Sequence, residues 1–152
     1  MIGADEAKVL ESGTSAVVGT VAADGAPDAS RSWGCWTLDG GRRIRFLLPE
    51  RDATALANLR SVGRVALTAT EVDTLESVQV KGQATVVGPA TADDLALHRR
   101  YVEEFLRNVH EADGTPIDLL RGMVPRGLVA VEAEVEGVWD QTPGPTAGRS
   151  LA

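Results

Sequence analysis

Residues 15–48, SAVVGTVAADGAPDASRSWGCWTLDGGRRIRFLL, contain three extended segments separated by two short glycine turns. Asp24-Gly25 and Asp39-Gly40-Gly41 are typical of tight hairpin turns, because aspartate and glycine accept the backbone conformations that such turns require. Three consecutive strands joined by tight turns form an antiparallel meander. The pattern predicts strands over residues 15–23, 28–38 and 43–48.

The third of these segments shows most clearly how apolar and polar residues alternate. Ile44, Phe46 and Leu48 are apolar and fall two residues apart, whereas Arg43 and Arg45 lie between them. Successive side chains of a strand point to opposite faces of a sheet. The segment is therefore predicted to bury one face and to turn the other away from the core.

The rest of the chain adds further strands and the helices. Helical segments are predicted over residues 5–11, 52–60, 91–109 and 116–121, and strands over residues 63–70, 76–87 and 128–136. From the first strand on, the longer elements follow the order β-β-β-α-β-β-α-β, which lacks the regular crossover helices of a doubly wound parallel sheet. We expect a mainly β protein, a six-stranded antiparallel barrel with helices over its ends, because closure removes exposed sheet edges.

The composition is that of one folded domain. The chain has 152 residues, of which 43% are hydrophobic and 24% charged, so it can bury a core and is not expected to be disordered. Composition does not change abruptly along the sequence. We therefore expect one domain over residues 1–140 and a proline- and glycine-rich tail over residues 141–152.

Charge and hydropathy exclude two classes of partner. Aspartate and glutamate number 22 against 15 lysines and arginines, which gives a net charge of −7 and argues against general binding of nucleic acid. No stretch is long and apolar enough to span a membrane, and no targeting signal is recognisable. We therefore expect a cytoplasmic protein with no membrane or nucleic-acid partner.

The usual motifs of side-chain catalysis and metal binding are missing. His98 and His110 are expected to be exposed on a helix, and Cys35 is expected to be a small buried thiol. All three are predicted to be dispensable for binding a cofactor. Phosphate-binding glycine loops and a nucleophile elbow are absent. No metal site and no catalytic residue is predicted, and any reaction is expected to depend on a bound cofactor.

Four segments follow one another in a recognisable order: DGAPDASRSWG over residues 24–34, IRFLLP over 44–49 with the helix after it, GRVAL over 63–67 and VQVKGQA over 78–84. Taken together, they resemble the pyridoxamine 5'-phosphate oxidase-like, FMN-binding split-barrel proteins. The resemblance implies a split barrel that binds FMN and acts as an oxidoreductase on an unknown small molecule. It also implies a homodimer with the cofactor at the subunit interface.

The resemblance further implies which residues bind the cofactor. The FMN phosphate is expected at Arg51 and Thr54, although the oxidase itself has an Arg-Lys pair where this chain has Ala53-Thr54. Arg31 is a second cationic candidate. The other expected cofactor residues lie on the second, third and fifth strands and at the start of the C-terminal segment: Ser30, Ser32, Trp33, Leu47, Leu48, Ser77, Gln79, Lys81 and Trp139.

Alternatives remain within the same fold. Related split barrels bind a deazaflavin or haem, and a non-catalytic flavin-binding protein would need the same cofactor site. The acidic composition disfavours the longer anionic tail of the deazaflavin, and the presence of only two histidines disfavours haem. The oxidase's substrate-binding residues have no clear match, and Cys35 stands where a lysine would be expected. Oxidation of a vitamin B6 phosphate is therefore not implied.

Overall fold

A computed structural model describes residues 1–151 as one seven-stranded antiparallel sheet flanked by helices. The strands are β1 (Ser15–Val21), β2 (Pro27–Ser32), β3 (Cys35–Leu38), β4 (Arg43–Pro49), β5 (Arg64–Thr70), β6 (Ser77–Pro89) and β7 (Leu128–Asp140). The helices are α1 (Ala4–Glu11), α2 (Ala53–Ser61), α3 (Ala92–Asp113) and α4 (Ile117–Arg121). Within residues 1–151, no helix is both long and apolar enough to cross a membrane.

The strand predicted over residues 28–38 is two strands, because Gly34 interrupts it. Gly34 has a φ of +138°, a conformation that residues with a side chain rarely adopt. The N–H of Trp33 donates to the carbonyl of Leu47 at 2.9 Å, and the N–H of Leu47 donates to the carbonyl of Gly34 at 3.0 Å. The sheet order is β2-β1-β5-β6-β7-β4-β3, so this kink joins the two edge strands and closes the barrel. The barrel therefore has seven strands rather than the predicted six.

Apolar side chains pack on both sides of the sheet. Ile44, Phe46 and Leu48 lie in the barrel interior, which confirms the alternation predicted for β4. Leu47 points the other way but is also buried, because α3 covers the outside of β4 and the first half of β7. The cluster beneath α3 contains Trp33, Leu47, Tyr101, Val102, Phe105, Leu106 and Ala130.

An ion-pair network fixes the start of α3 on the sheet. Thr91 and Asp94 form a capping box. The N–H of Thr91 donates to the Oδ2 of Asp94 at 2.8 Å, and the N–H of Asp94 donates to the Oγ1 of Thr91 at 3.2 Å. Arg45 of β4 donates to both oxygens of Asp94, at 2.8 and 2.7 Å, and to Glu132 of β7 at 2.7 Å. Burial alone would raise the pKa of Asp94, but the hydrogen bonds from Arg45 and Thr91 lower it below its ordinary value.

The C-terminal segment is held against the barrel. The last strand continues four residues beyond its predicted end, and the chain then turns back on it. Trp139 forms a bridge with Ser150, and the N–H of Leu151 donates to the carbonyl of Val138 at 2.8 Å. The predicted tail over residues 141–152 therefore lies along β7 over its described part.

Candidate functional site

A row of side chains crosses the outer face of the sheet, the face that points away from the barrel interior. The strand register pairs Arg31 with Val17, Val17 with Thr68, Thr68 with Gln79 and Gln79 with Trp139. Directly paired residues of neighbouring strands point to the same face, so these five form one line across five strands. We call this line the outer row. Each of its residues is half-buried or exposed.

A second line next to the outer row consists mostly of small residues. Ala29, Gly19, Ala66 and Gly137 occupy it, and Lys81 lies between Ala66 and Gly137. We call this line the floor. A shallow cavity of about 240 Å³ is lined by Gly19, Ala66 and Lys81, among others. Because Ala29, Gly19 and Ala66 have little or no side chain, a planar group can approach the sheet closely at these three positions.

The position of the Trp139 ring depends on its neighbours in the floor. A Cβ atom at position 137 would collide with the ring, so Gly137 leaves the space that Trp139 occupies. The Nζ of Lys81 lies 4.6 Å from the centroid of the same ring, in a cation–π contact. The glycine and the lysine together hold an aromatic ring at the end of the outer row.

The polar members of the outer row are oriented by hydrogen bonds. The Nε2 of Gln79 donates to the Oγ1 of Thr68 at 2.8 Å. The Nη1 of Arg31 donates to the Oγ of Ser15 at 3.2 Å, and its guanidinium lies 5.4 Å from the centroid of the Phe105 ring. No carboxylate of residues 1–151 forms a salt bridge with Arg31. Its positive charge is therefore not neutralised within the described chain.

Three other expected cofactor residues, Ser30, Arg51 and Thr54, lie away from the outer row. Ser30 pairs with Val18, whose side chain lies in the barrel interior, so Ser30 points to the opposite face from the outer row. Arg51 and Thr54 are exposed at the start of α2. The side chain of Asp52 makes no capping hydrogen bond there, so it does not occupy the first N–H groups of the helix.

The structure separates the twelve expected cofactor residues by accessibility. Those with exposed or half-exposed side chains are Ser30, Arg31, Arg51, Thr54, Gln79, Lys81 and Trp139, and those that are buried are Ser32, Trp33, Leu47, Leu48 and Ser77. Of the accessible residues, Arg31, Gln79, Lys81 and Trp139 are brought together on the outer face. Ser30 lies on the other face, and Arg51 and Thr54 lie at α2.

The five buried residues have partners within the chain. Leu47 packs under α3, whereas Leu48 packs in the barrel interior. The Trp33 ring meets the Phe105 ring edge to face, with centroids 6.3 Å apart. The Oγ of Ser32 donates to the carbonyl of Gly34 at 3.0 Å, and the Oγ of Ser77 donates to the carbonyl of Leu75 at 2.9 Å. These five side chains therefore pack or form hydrogen bonds with other residues of the chain.

Some residues of the outer face were not predicted from the sequence. Thr68 and the floor residues Gly19, Ala66 and Gly137 carry no local motif that marks them as functional. They become neighbours of Gln79 through the register of four strands. A period-two pattern assigns each residue to one face of its own strand, but it does not give the register between strands. No signal in the single sequence would have found them.

The histidines and the cysteine have structural partners. His98 was expected to be exposed, but it is buried because α3 packs its side of the helix on the sheet, and its Nδ1 lies 2.7 Å from the carbonyl oxygen of Trp33. His110 is exposed as predicted. Cys35 is buried as predicted, and burial raises the pKa of its thiol. In the part of the chain that the structure describes, no three His, Cys, Asp or Glu side chains could together hold a metal ion.

Comparison with known proteins identifies the family and the fold. The family model described as pyridoxamine 5'-phosphate oxidase matches residues 4–141, nearly the whole chain. A search of curated proteins gave no significant match.

Several solved structures share the fold at low sequence identity. HupZ from Group A Streptococcus is 17% identical, with a TM-score of 0.60 over 97% of this chain and 100% of that one. A protein described as an F420 reductase is 19% identical, with a TM-score of 0.55 over 86% and 93% of the two chains. HutZ, described as the heme storage protein of Vibrio cholerae, is 15% identical, with a TM-score of 0.52 over 88% and 89%.

Proposed function

The chain belongs to the pyridoxamine 5'-phosphate oxidase family, and from that premise we propose that it binds FMN and transfers electrons to or from a small molecule. The observation that carries the proposal is the outer row beside its floor of small residues. A planar ring system needs an accessible surface with a few polar groups that fix its orientation. The outer row, from Arg31 to Trp139, has both properties.

The residues of this surface fit the chemistry of a flavin ring. The indole of Trp139 can pack against an aromatic system, and the amide of Gln79 offers both a hydrogen-bond donor and an acceptor. Lys81 and Arg31 would supply positive charge on the same face of the sheet. FMN, when bound, would supply the electron transfer that the side chains of this protein do not supply themselves. The chain's own groups would hold and orient the ring.

The start of α2 fits the phosphate of the same cofactor. A phosphate accepts hydrogen bonds from free N–H groups at a helix start and pairs well with a guanidinium. Thr54 adds a hydroxyl in the first turn, and Arg51 is the one cation within residues 51–54. Arg51 would take over the charge that the Arg-Lys pair supplies in the oxidase.

The two parts of the site lie on different faces of one chain. Ala55, Leu56 and Leu59 of α2 pack with the side chains of the barrel interior, whereas the outer row lies on the outer face of the sheet. A second copy related by a twofold axis can bring the start of α2 of one subunit to the outer row of its partner. We therefore propose that the protein is a homodimer with FMN bound between the subunits.

Other cofactors are weaker candidates. Haem requires an iron ligand. His98 is buried on the side of α3 that faces the sheet, and the Nδ1 of His110 lies 2.8 Å from the carbonyl oxygen of Thr115. The deazaflavin F420 presents a similar ring with a longer anionic tail, and the chain as a whole is acidic. FMN, with a single phosphate, matches the one cation at the start of α2.

Titration of the cofactor-free protein tests this function. FMN, F420 and haem are added separately, and binding is followed by visible absorption and by quenching of flavin fluorescence. Gln79→Leu should weaken FMN binding by about two- to tenfold, the range expected for one lost hydrogen bond. Gln83→Leu makes the same change on the same strand and should leave the affinity unchanged.

The same titration identifies the result that would refute the proposal. Tight binding of F420 or haem with no binding of FMN would show that FMN is not the cofactor of this protein. If Gln79→Leu and Gln83→Leu weaken FMN binding equally, the outer row is not the binding site. Reduction of bound FMN by a nicotinamide, followed by reoxidation with small-molecule acceptors, measures the electron transfer itself.

A further inference from the structure

A cavity of about 610 Å³ lies where the turn after β4 meets the segment between α4 and β7. Arg51 lines the cavity from the first of these segments, and Arg126 lines it from the second. Both arginines are exposed. The cavity therefore receives positive charge from two parts of the chain that are far apart in sequence.

The pairing of β4 with β7 brings these two arginines together. Pro49 pairs with Leu128, and beyond that pair the N–H of Glu50 donates to the carbonyl of Gly127 at 3.0 Å. Arg51 and Arg126 are the next residues of the two segments. Because each follows a backbone that is hydrogen-bonded to the other segment, the two side chains share one region of the surface.

No acidic side chain of the described chain neutralises the two guanidinium groups. Glu50 also lines the cavity, but its carboxylate lies against Gly127, where a Cβ atom would collide with it. Neither Arg51 nor Arg126 forms a salt bridge with a carboxylate of residues 1–151. Two like charges held near each other repel, and an anion bound between them would be attracted to both.

The backbone on both sides of Arg126 is held by the fold. Before it, Pro125 is buried and has a fixed φ, and Val124 packs against the cluster beneath α3. After it, Gly127 accepts the hydrogen bond from Glu50. A ligand that binds Arg126 therefore has to order the side chain but not the backbone, which lowers the entropic cost of binding.

A phosphate monoester suits two neighbouring guanidinium groups. It carries a charge of about −1.5 to −2 near neutral pH and has three strong acceptor oxygens. One arginine can donate two parallel hydrogen bonds to such a group, and a second arginine can pair with the remaining oxygen and charge.

We propose that Arg126 binds the phosphate of FMN together with Arg51 of the same subunit. This inference rests on the proposed binding of FMN and adds to it a residue from outside the start of α2. The oxidase has an Arg-Lys pair where this chain has Ala53-Thr54. Arg51 and Arg126 together restore the two positive charges of that pair, from two segments instead of one.

Parallel fluorescence titrations with FMN and riboflavin test the proposal, because the two flavins differ only in the phosphate. Arg126→Ala should weaken FMN binding by about five- to twentyfold, the range for a charge-assisted hydrogen bond at an exposed position. It should leave riboflavin binding unchanged. Arg126→Lys, which keeps the charge but not the planar guanidinium, should recover part of the lost FMN affinity.

Arg121→Ala is the matched control, because Arg121 is exposed at the end of α4, carries the same charge and does not line the cavity. It should leave the affinity for FMN unchanged. Equal weakening of FMN binding by Arg121→Ala and Arg126→Ala would show diffuse attraction to a basic surface and would overturn the proposal. This comparison decides the outcome even where riboflavin binds too weakly to measure.

The remaining outcomes separate this inference from the proposed function. An unchanged FMN affinity in Arg126→Ala would overturn the role of Arg126 and leave the binding of FMN standing. Equal weakening of FMN and riboflavin by Arg126→Ala would show that Arg126 does not act through the phosphate, and would overturn the inference as well. A wild-type protein that binds no FMN would overturn both proposals together.

Discussion

Gly137 shows how one missing side chain shapes the outer face. The Trp139 ring occupies the space that a Cβ at position 137 would need, and it lies over Lys81. Gly137→Ala is expected to displace the ring, change the near-ultraviolet circular dichroism of the protein and weaken FMN binding. Gly19→Ala is the control for the ring, because a Cβ there meets no atom closer than 3.7 Å. Equal spectra for the wild type and Gly137→Ala would contradict this description of the ring.

Arg51 is expected to account for most of the charge that holds the phosphate. Arg51→Ala should weaken FMN binding by about 1.5–3 kcal/mol, the range for a hydrogen bond to a charged group. Arg60→Ala removes the same charge at the other end of α2 and should have little effect. Fluorescence titration at fixed salt measures both dissociation constants. An unchanged value for Arg51→Ala would exclude Arg51 from the site.

The side of the sheet to which a side chain points could be predicted from the sequence only in strands that bury a single face. Ile44, Phe46 and Leu48 follow the predicted alternation because they fill the barrel interior. Leu47 and His98 do not follow expectation, because both are covered where α3 packs on the outside of the sheet. The residue pattern within one element does not reveal which other element covers it.

Among the elements, α3 depends most clearly on a buried ion pair. Hydrogen bonds from Arg45 and Thr91 lower the pKa of Asp94 below its ordinary value of 3.8, despite its burial. A carboxyl with a lowered folded-state pKa adds stability above its unfolded-state pKa, and that stability is lost as the pH falls through the folded-state value. We expect this contribution to be complete at neutral pH, to begin to fall near the unfolded-state pKa of about 4, and to be lost as the pH drops through the lower folded-state pKa.

Asp94→Asn tests this contribution. At neutral pH the variant should lose about 1.5–3 kcal/mol in the free energy of unfolding, because Arg45 loses a charged partner. Asp93→Asn is the control, since Asp93 is exposed at the neighbouring position of the same helix. Urea unfolding of all three proteins at a series of pH values measures the effect. The difference between the wild type and Asp94→Asn should shrink in acid, and a constant difference would contradict the pKa argument.

The predicted elements agree with the structure wherever short-range signals mark them. Aspartate-glycine turns located both ends of the segment over residues 28–38, and the helix predicted over residues 91–109 begins at Ala92. The kink at Gly34 was missed, because glycine within a strand pattern also occurs without a break. The barrel closes at that kink through hydrogen bonds to β4, which is a contact between elements and has no signal in the local sequence.

At the scale of the whole molecule, a homodimer with FMN between its subunits requires that a second copy of the chain cover the outer face. Val17 lies between Arg31 and Thr68 in the outer row and is 42% exposed. Val17→Asp is expected to dissociate the dimer, because it places a carboxylate beside Arg31 in the interface, where burying both charges costs more in desolvation than their attraction returns. Val87→Asp, at a position 52% exposed near the end of β6, should not dissociate it. Sedimentation at micromolar concentration distinguishes the two, and a Val17→Asp variant that remains dimeric would place the interface elsewhere.

Native mass spectrometry of the FMN-loaded protein tests the central claim most directly, because it measures subunit and cofactor stoichiometry together. A twofold dimer with FMN between its subunits has two equivalent sites. The account predicts a species of two chains and two FMN molecules, and predicts that Val17→Asp loses the second chain and the cofactor together. A single chain that retains FMN, or a dimer that binds none, would contradict it.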